Sequence, residues 1–151
     1  MKLEIFTDGG CSGNPGPAAI GVVIKEGGQT IKTLNRFIGQ GTNNIAEYTA
    51  LIVALEEALV LKADEISVKT DSELMCKQVM GAYAVKHENI KPLFDQVKNL
   101  VAGFKSFQIA HVPREQNAQA DALVRQVLKK ASQDGRPGAY GAGEESPSSK
   151  G

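Results

Sequence analysis

Apolar and polar positions change their period several times along the chain. Residues 2–8 (KLEIFTD) alternate loosely, the pattern of a half-buried strand. Gly9-Gly10-Cys11-Ser12-Gly13-Asn14-Pro15-Gly16-Pro17 follows as a dense turn signal. Residues 18–26 (AAIGVVIKE) and 30–38 (TIKTLNRFI) predict two more strands, with Gly27-Gly28 as the hairpin turn between them. Spacing then becomes helical from Ile45 to Leu61, where Tyr48, Leu51, Ile52, Leu55 and Leu59 recur on one side and Thr42-Asn43-Asn44 offers capping residues. A strand over 65–70 (EISVKT), a short helix from Ser72 to Met80, a helix from Asn89 to Val101, a strand from Phe104 to His111 and a helix from Gln116 to Ala131 complete the pattern. Pro92 fits the first turn of its helix, where a missing N–H costs nothing.

The order βββαβααβα implies an α/β fold: a five-stranded mixed sheet, three antiparallel strands then two parallel ones, flanked by helices. No internal repeat interrupts it. At 151 residues and 42% hydrophobic content, one domain with a real core is expected, spanning residues 1–131. From Ser132 onward the composition turns to Gly, Ser and Pro with few apolar residues, so 132–151 is expected to be a disordered tail.

Charge narrows the partners only slightly. Seventeen basic and seventeen acidic residues cancel, which argues against nucleic-acid binding through bulk positive charge and leaves room for a local site. No run of apolar residues is long enough to cross a membrane, and Met1-Lys2-Leu3-Glu4-Ile5 lacks the apolar core of a leader, so a cytoplasmic location is expected. Cys11 and Cys76 stand far apart, without the spacing of a zinc site, and are expected to be free thiols. A monomer without an evident protein partner is expected, since no heptad or exposed apolar stripe stands out.

Four acids change the picture. Two strands end alike, Phe6-Thr7-Asp8 and Lys69-Thr70-Asp71; if these strands are parallel neighbours, Asp8 and Asp71 meet at their carboxyl ends, where open α/β sheets usually bind ligands. Each also has a structural explanation, Asp71 as a helix cap and Asp8 as a turn residue. Glu47 and Asp121 are harder to explain that way. Glu47 shares a helix face with Leu51, Ala54, Leu55 and Ala58, and Asp121 with Val124 and Leu128. A carboxylate on a packed face is costly unless it is paired or binds a metal. Four such groups could hold two hard cations through oxygen, and paired ions clamp in-line phosphoryl displacements. With no Ser/His/Asp set, Walker loop or GxGxxG beside them, the chemistry points to phosphodiester cleavage.

Those acids sit in segments that, in order, resemble type 1 ribonuclease H: Thr7-Asp8-Gly9-Gly10-Cys11-Ser12-Gly13-Asn14-Pro15-Gly16, Thr42-Asn43-Asn44-Ile45-Ala46-Glu47, Thr70-Asp71-Ser72 and Asn117-Ala118-Gln119-Ala120-Asp121. The resemblance covers residues 2 to about 130 and implies a ribonuclease H-like fold. It implies an endonuclease that hydrolyses the RNA strand of an RNA–DNA hybrid, leaving 5′-phosphate and 3′-hydroxyl ends. Asp8, Glu47, Asp71 and Asp121 would hold two Mg2+ ions, with Mn2+ a possible substitute: Asp8 and Asp121 one ion, Asp8, Glu47 and Asp71 the other. Gly10, Cys11, Ser12, Gly13 and Asn14 would run along the RNA strand, where the 2′-hydroxyl separates RNA from DNA. Thr42, Asn43 and Asn44 would contact the DNA strand, with helix capping as their structural alternative.

Three departures qualify the resemblance. Gly81 to Glu88 is too short for the basic protrusion many members carry and holds only Lys86 and His87 as basic residues. The segment Ile109 to Gln116 replaces a longer His-bearing loop and leaves Arg114 or His111 as candidates to assist product release. No N-terminal hybrid-binding module is recognisable. A junction resolvase or other nuclease on the same fold, a non-catalytic hybrid-binding module and a purely structural domain are the competing readings. The last leaves Glu47 and Asp121 unexplained.

Overall fold

The computed structural model describes residues 1–134. Five strands form one sheet in the order β3-β2-β1-β4-β5. β1 (Lys2–Cys11), β2 (Gly16–Glu26) and β3 (Gln29–Gly41) pair antiparallel; β4 (Glu65–Thr70) and β5 (Ser106–His111) run parallel to β1. The expected mixed sheet is therefore present, with β1 at its centre.

β2 is buried along nearly its whole length because AAIGVVI faces helices on both sides of the sheet. Gly27 and Gly28 both take positive φ, 58° and 84°, which a tight hairpin demands and glycine supplies without a steric cost. The first three strands run beyond the expected ends: Gly9 to Cys11 extend β1 along β2, and Gly16 and Pro17 extend β2 along β3, leaving a turn of only four residues, 12–15. β3 likewise continues to Gly41. β5 begins at Ser106 instead of Phe104, because 102–105 make the turn from the preceding helix.

α1 (Asn43–Val60) carries Ala46, Ala50, Leu51, Ala54, Leu55 and Ala58 fully buried. It lies between the sheet and α3 (Lys91–Val101), so its small residues let two layers approach it at once. Truncating a buried leucine such as Leu51 to alanine would cost about 2–5 kcal/mol. The Thr42 side chain accepts a hydrogen bond from the Ile45 N–H at 3.2 Å, so Thr42 is the cap and Asn43 and Asn44 belong to the first turn. α2 (Glu73–Val79) packs beside β5 and α1. After a 3-10 turn at Arg114–Asn117, α4 (Ala118–Asp134) crosses β2, with contacts to β1 and β3. Neighbouring strand residues face opposite sides, and Gly9 abuts α1 while Gly10 abuts α4, so these helices cover opposite faces of the sheet. α4 passes the expected end at Ala131 by three residues; the rest of the expected tail, 135–151, lies outside the described residues. Among the described residues no helix is long and apolar enough to cross a membrane.

Candidate active site

The parallel register of β1 and β4 pairs Thr7 with Thr70, so the next residue of each, Asp8 and Asp71, lies at the same edge of the sheet. Neither acid has the structural role open to it. Asp8 is within β1, opposite Gly21 of β2. Ser72 rather than Asp71 caps α2, its side chain accepting from the Met75 N–H at 3.2 Å, while the Ser72 N–H donates to Thr70 Oγ1 at 3.0 Å. The turn after β4 is thus fixed by its neighbours, and the Asp71 carboxylate is left over.

α1 adds Glu47. Asp8, Glu47 and Asp71 each place a carboxylate oxygen within 4.8 Å of the others. Glu47 Oε1 is buried without a hydrogen-bond partner. Burial, then the charges of Asp8 and Asp71, push the Glu47 carboxyl well above the usual carboxylate range. Burial also leads at Asp8, ahead of the Asp71 and Asp121 charges, and raises it to about 7. The Gly9 N–H partly offsets both shifts. Such mutual destabilisation is relieved by a cation, and an all-oxygen donor set suits a hard one. The site therefore fits a divalent metal on its own chemistry.

Asp121 sits outside that trio, near enough to Asp8 that its charge helps raise the Asp8 carboxyl. Its Oδ2 accepts from Arg125 Nε at 2.9 Å, one helical turn on. The structure thus brings all four sequence-derived acids together in two overlapping groups, three around Glu47 and a pair at Asp8. Arg125 was not singled out in the sequence, although its i+4 spacing from Asp121 was visible there. Asn117 was likewise without a role: it is 1% exposed and its Nδ2 donates to the Thr7 carbonyl at 2.9 Å, tying the start of α4 to the residue before Asp8.

The Gly10–Asn14 segment leads from this edge to the first turn of α1. Asn14 Oδ1 accepts from the Asn43 N–H at 3.1 Å, and Asn43 Oδ1 accepts from the Cys11 N–H and thiol, both at 3.2 Å. Both side-chain oxygens are thus engaged between the loop and α1. Asn44 and Ser12 are exposed beside them. The glycines of this loop serve the turn itself: Gly13 has φ +80°, and a side chain at Gly16 would overlap the Ser12 carbonyl oxygen.

Arg114 is 83% exposed, with Nε 3.9 Å from Asp71 Oδ2, and its charge lowers Glu47. His111 ends β5 opposite Thr70, is exposed, and its charge acts on Glu73. Of the two, Arg114 is the one turned to the carboxylates.

Comparison with known proteins agrees with this arrangement. A family model described as reverse transcriptase-like matches residues 6–127. Ribonuclease HI of Halobacterium salinarum is 40% identical over 131 residues, covering 86% of this chain and 66% of that protein. A bifunctional protein of Mycobacterium tuberculosis is 37% identical over 156 residues, covering 100% of this chain, which spans only 43% of the mycobacterial protein. Among solved structures, LC11-RNase H1 in complex with an RNA/DNA hybrid superposes with a TM-score of 0.81 at 43% identity, covering 85% of this chain and 98% of that one. By fold, by the order of its acid-bearing segments and by these matches, the chain belongs to the type 1 ribonuclease H family.

Proposed function

We propose that this chain is a metal-dependent endonuclease that hydrolyses the RNA strand of an RNA–DNA hybrid, leaving 5′-phosphate and 3′-hydroxyl ends. The observation that carries the proposal is the Asp8–Glu47–Asp71 trio, with one Glu47 oxygen buried and unpartnered, at the edge where the loop 10–14 is anchored. The hybrid bound by LC11-RNase H1 supports the choice of substrate.

In this reading Asp8, Glu47 and Asp71 hold one Mg2+ and Asp8 and Asp121 a second, with Mn2+ as a substitute. Bound there, the ions supply the Lewis acidity that activates water and stabilises the leaving oxygen. The protein's part is placement. Raised proton affinity at Asp8 and Glu47 keeps both ready to exchange a proton for a cation. Gly10, Cys11, Ser12, Gly13 and Asn14 follow the RNA strand, where the Asn14 NH2 meets 2′-hydroxyl acceptors. Thr42, Asn43 and Asn44 face the DNA strand from the first turn of α1. Arg114, held loosely by Asp71, can leave it for a phosphate and ease product departure; His111 is the weaker candidate for that task. All four acids come from one copy, which fits a monomer, and the free thiols of Cys11 and Cys76 fit a reducing cytoplasm.

The test is cleavage of an end-labelled RNA–DNA hybrid in Mg2+, in Mn2+ and in chelator, beside matched duplex DNA and branched DNA. Metal-dependent cutting confined to the RNA strand is expected. Hybrid binding without cutting in either metal would refute the nuclease reading.

A further inference from the structure

Asp8 and Asp71 are brought together by strand pairing, but Glu47 and Asp121 must reach them from helices on opposite faces of the sheet. A helix packed on a sheet through ordinary side chains is held off by them. At two points this chain has no side chain in the way, and both flank Asp8: Gly9 follows it in β1, and Gly21 is its cross-strand partner in β2. A Cβ built on Gly9 would overlap the Ala46 carbonyl and fall 2.6 Å from the Glu47 nitrogen. One built on Gly21 would fall 2.5 Å from the Ala120 carbonyl oxygen and 3.0 Å from Leu123 Cβ. Both atoms that press closest belong to the residue just before a helix-borne acid.

We infer that Gly9 and Gly21 are positioning residues that set the span of the metal site, Gly9 by seating α1 so that Glu47 reaches Asp8, and Gly21 by seating α4 so that Asp121 does. Backbone shape alone does not require glycine at either place, since both lie within regular strand pairing and neither takes a positive φ. Other close glycines do different work; Gly16 abuts its own turn, and Gly103 abuts Leu59, away from the acids. The contact surfaces are also unyielding. Ala46 and Ala120 meet the glycines through peptide backbone, so an added methyl must move the helix rather than turn a side chain aside. Moving the helix moves its acid, and a carboxylate displaced by a few tenths of an ångström no longer shares an ion with its neighbour. The inference rests on the metal-dependent hydrolysis proposed above.

The experiment compares wild type with Gly9→Ala, Gly21→Ala and Val97→Ala, the last a buried α3 position facing α1 away from the acids. Mn2+ binding is titrated by electron paramagnetic resonance, and hybrid cleavage is measured across Mn2+ concentration. Half-saturating Mn2+ should rise at least tenfold in both glycine variants, with kcat falling more than KM rises. Val97→Ala should stay within twofold of wild type despite a lower melting temperature. Combined with Asp121→Asn, Gly21→Ala should add less than a twofold change in Mn2+ affinity, because its effect passes through Asp121. A folded glycine variant with wild-type Mn2+ affinity and kcat would overturn the assignment for that glycine. A variant that does not fold would do the same, since that glycine then serves the whole helix rather than its acid. A wild-type protein that neither binds Mn2+ nor cuts hybrid would instead sink the nuclease reading itself.

Discussion

Replacing Asp8 by asparagine should make the metal-free protein more stable while abolishing cleavage. Asp8 is 7% exposed and keeps its proton up to about pH 7, against an ordinary value of 3.8, because burial and then the Asp71 and Asp121 charges disfavour ionisation. An unfolded chain loses that proton first. The contribution of Asp8 to stability is therefore greatest below pH 4, falls as pH rises from 3.8 to about 7, and stays low above that. At about 1.36 kcal/mol per pH unit, the full penalty at pH 8 comes to about 4 kcal/mol. Asparagine loses part of that gain, since its amide accepts less strongly from the Gly9 N–H, so a net stabilisation of about 2 kcal/mol is the working figure. For a domain of this size that is a rise of about 4–8 °C in melting temperature. Thermal unfolding with chelator at pH 4, 6 and 8 measures it. The variant should melt well above wild type at pH 8 and within about 2 °C of it at pH 4. Adding Mg2+ should raise wild type and leave the variant unmoved. A variant that melts at or below wild type at pH 8, or a difference that does not shrink on acidification, would refute the electrostatic account of the site.

Asn117→Ala should destabilise the fold by about 1–3 kcal/mol, the cost of orphaning the buried Thr7 carbonyl, and should also lower kcat as the start of α4 loosens; urea unfolding and steady-state cleavage measure the two effects. Asn43→Ala removes the acceptor for the Cys11 N–H and thiol while leaving the Asn43 N–H bond to Asn14, so KM for hybrid should rise by roughly tenfold while kcat and metal dependence stay near wild type, as expected for partly lost ordering and contact of a binding segment.

Much of the fold could be read in the sequence, and the reasons are local. Two strands ending Thr-Asp announced the β1–β4 pairing, and Thr7 does meet Thr70. Helical spacing put Glu47 on the face shared with Leu51, Ala54, Leu55 and Ala58, and all four of those are buried to 0% exposure. The misses come from residues whose use depends on distant partners. Gly9, Gly10 and Gly16 suggested a turn, yet all three are strand residues; Gly9 is there because the backbone of α1 needs the room a side chain would fill. Capping α2 was the structural alternative for Asp71; Ser72 performs that task, as only the three-dimensional turn reveals. Which helix covers which face, and hence that Glu47 and Asp121 approach Asp8 from opposite sides, has no counterpart in periodicity at all.

The central place of β1 also governs when the protein can act. Asp8 is made within the first strand, but the acid with which it pairs, Asp121, lies 113 residues later on the last helix, and Asn117 must close on Thr7 from equally far away. A chain emerging from the ribosome therefore carries the loop 12–15 and three of the acids well before the fourth. Until α4 has cleared the exit tunnel and crossed β2, the sheet lacks one cover and the site one wall. The topology thus leaves the four-acid cluster unfinished in the nascent chain until α4 docks.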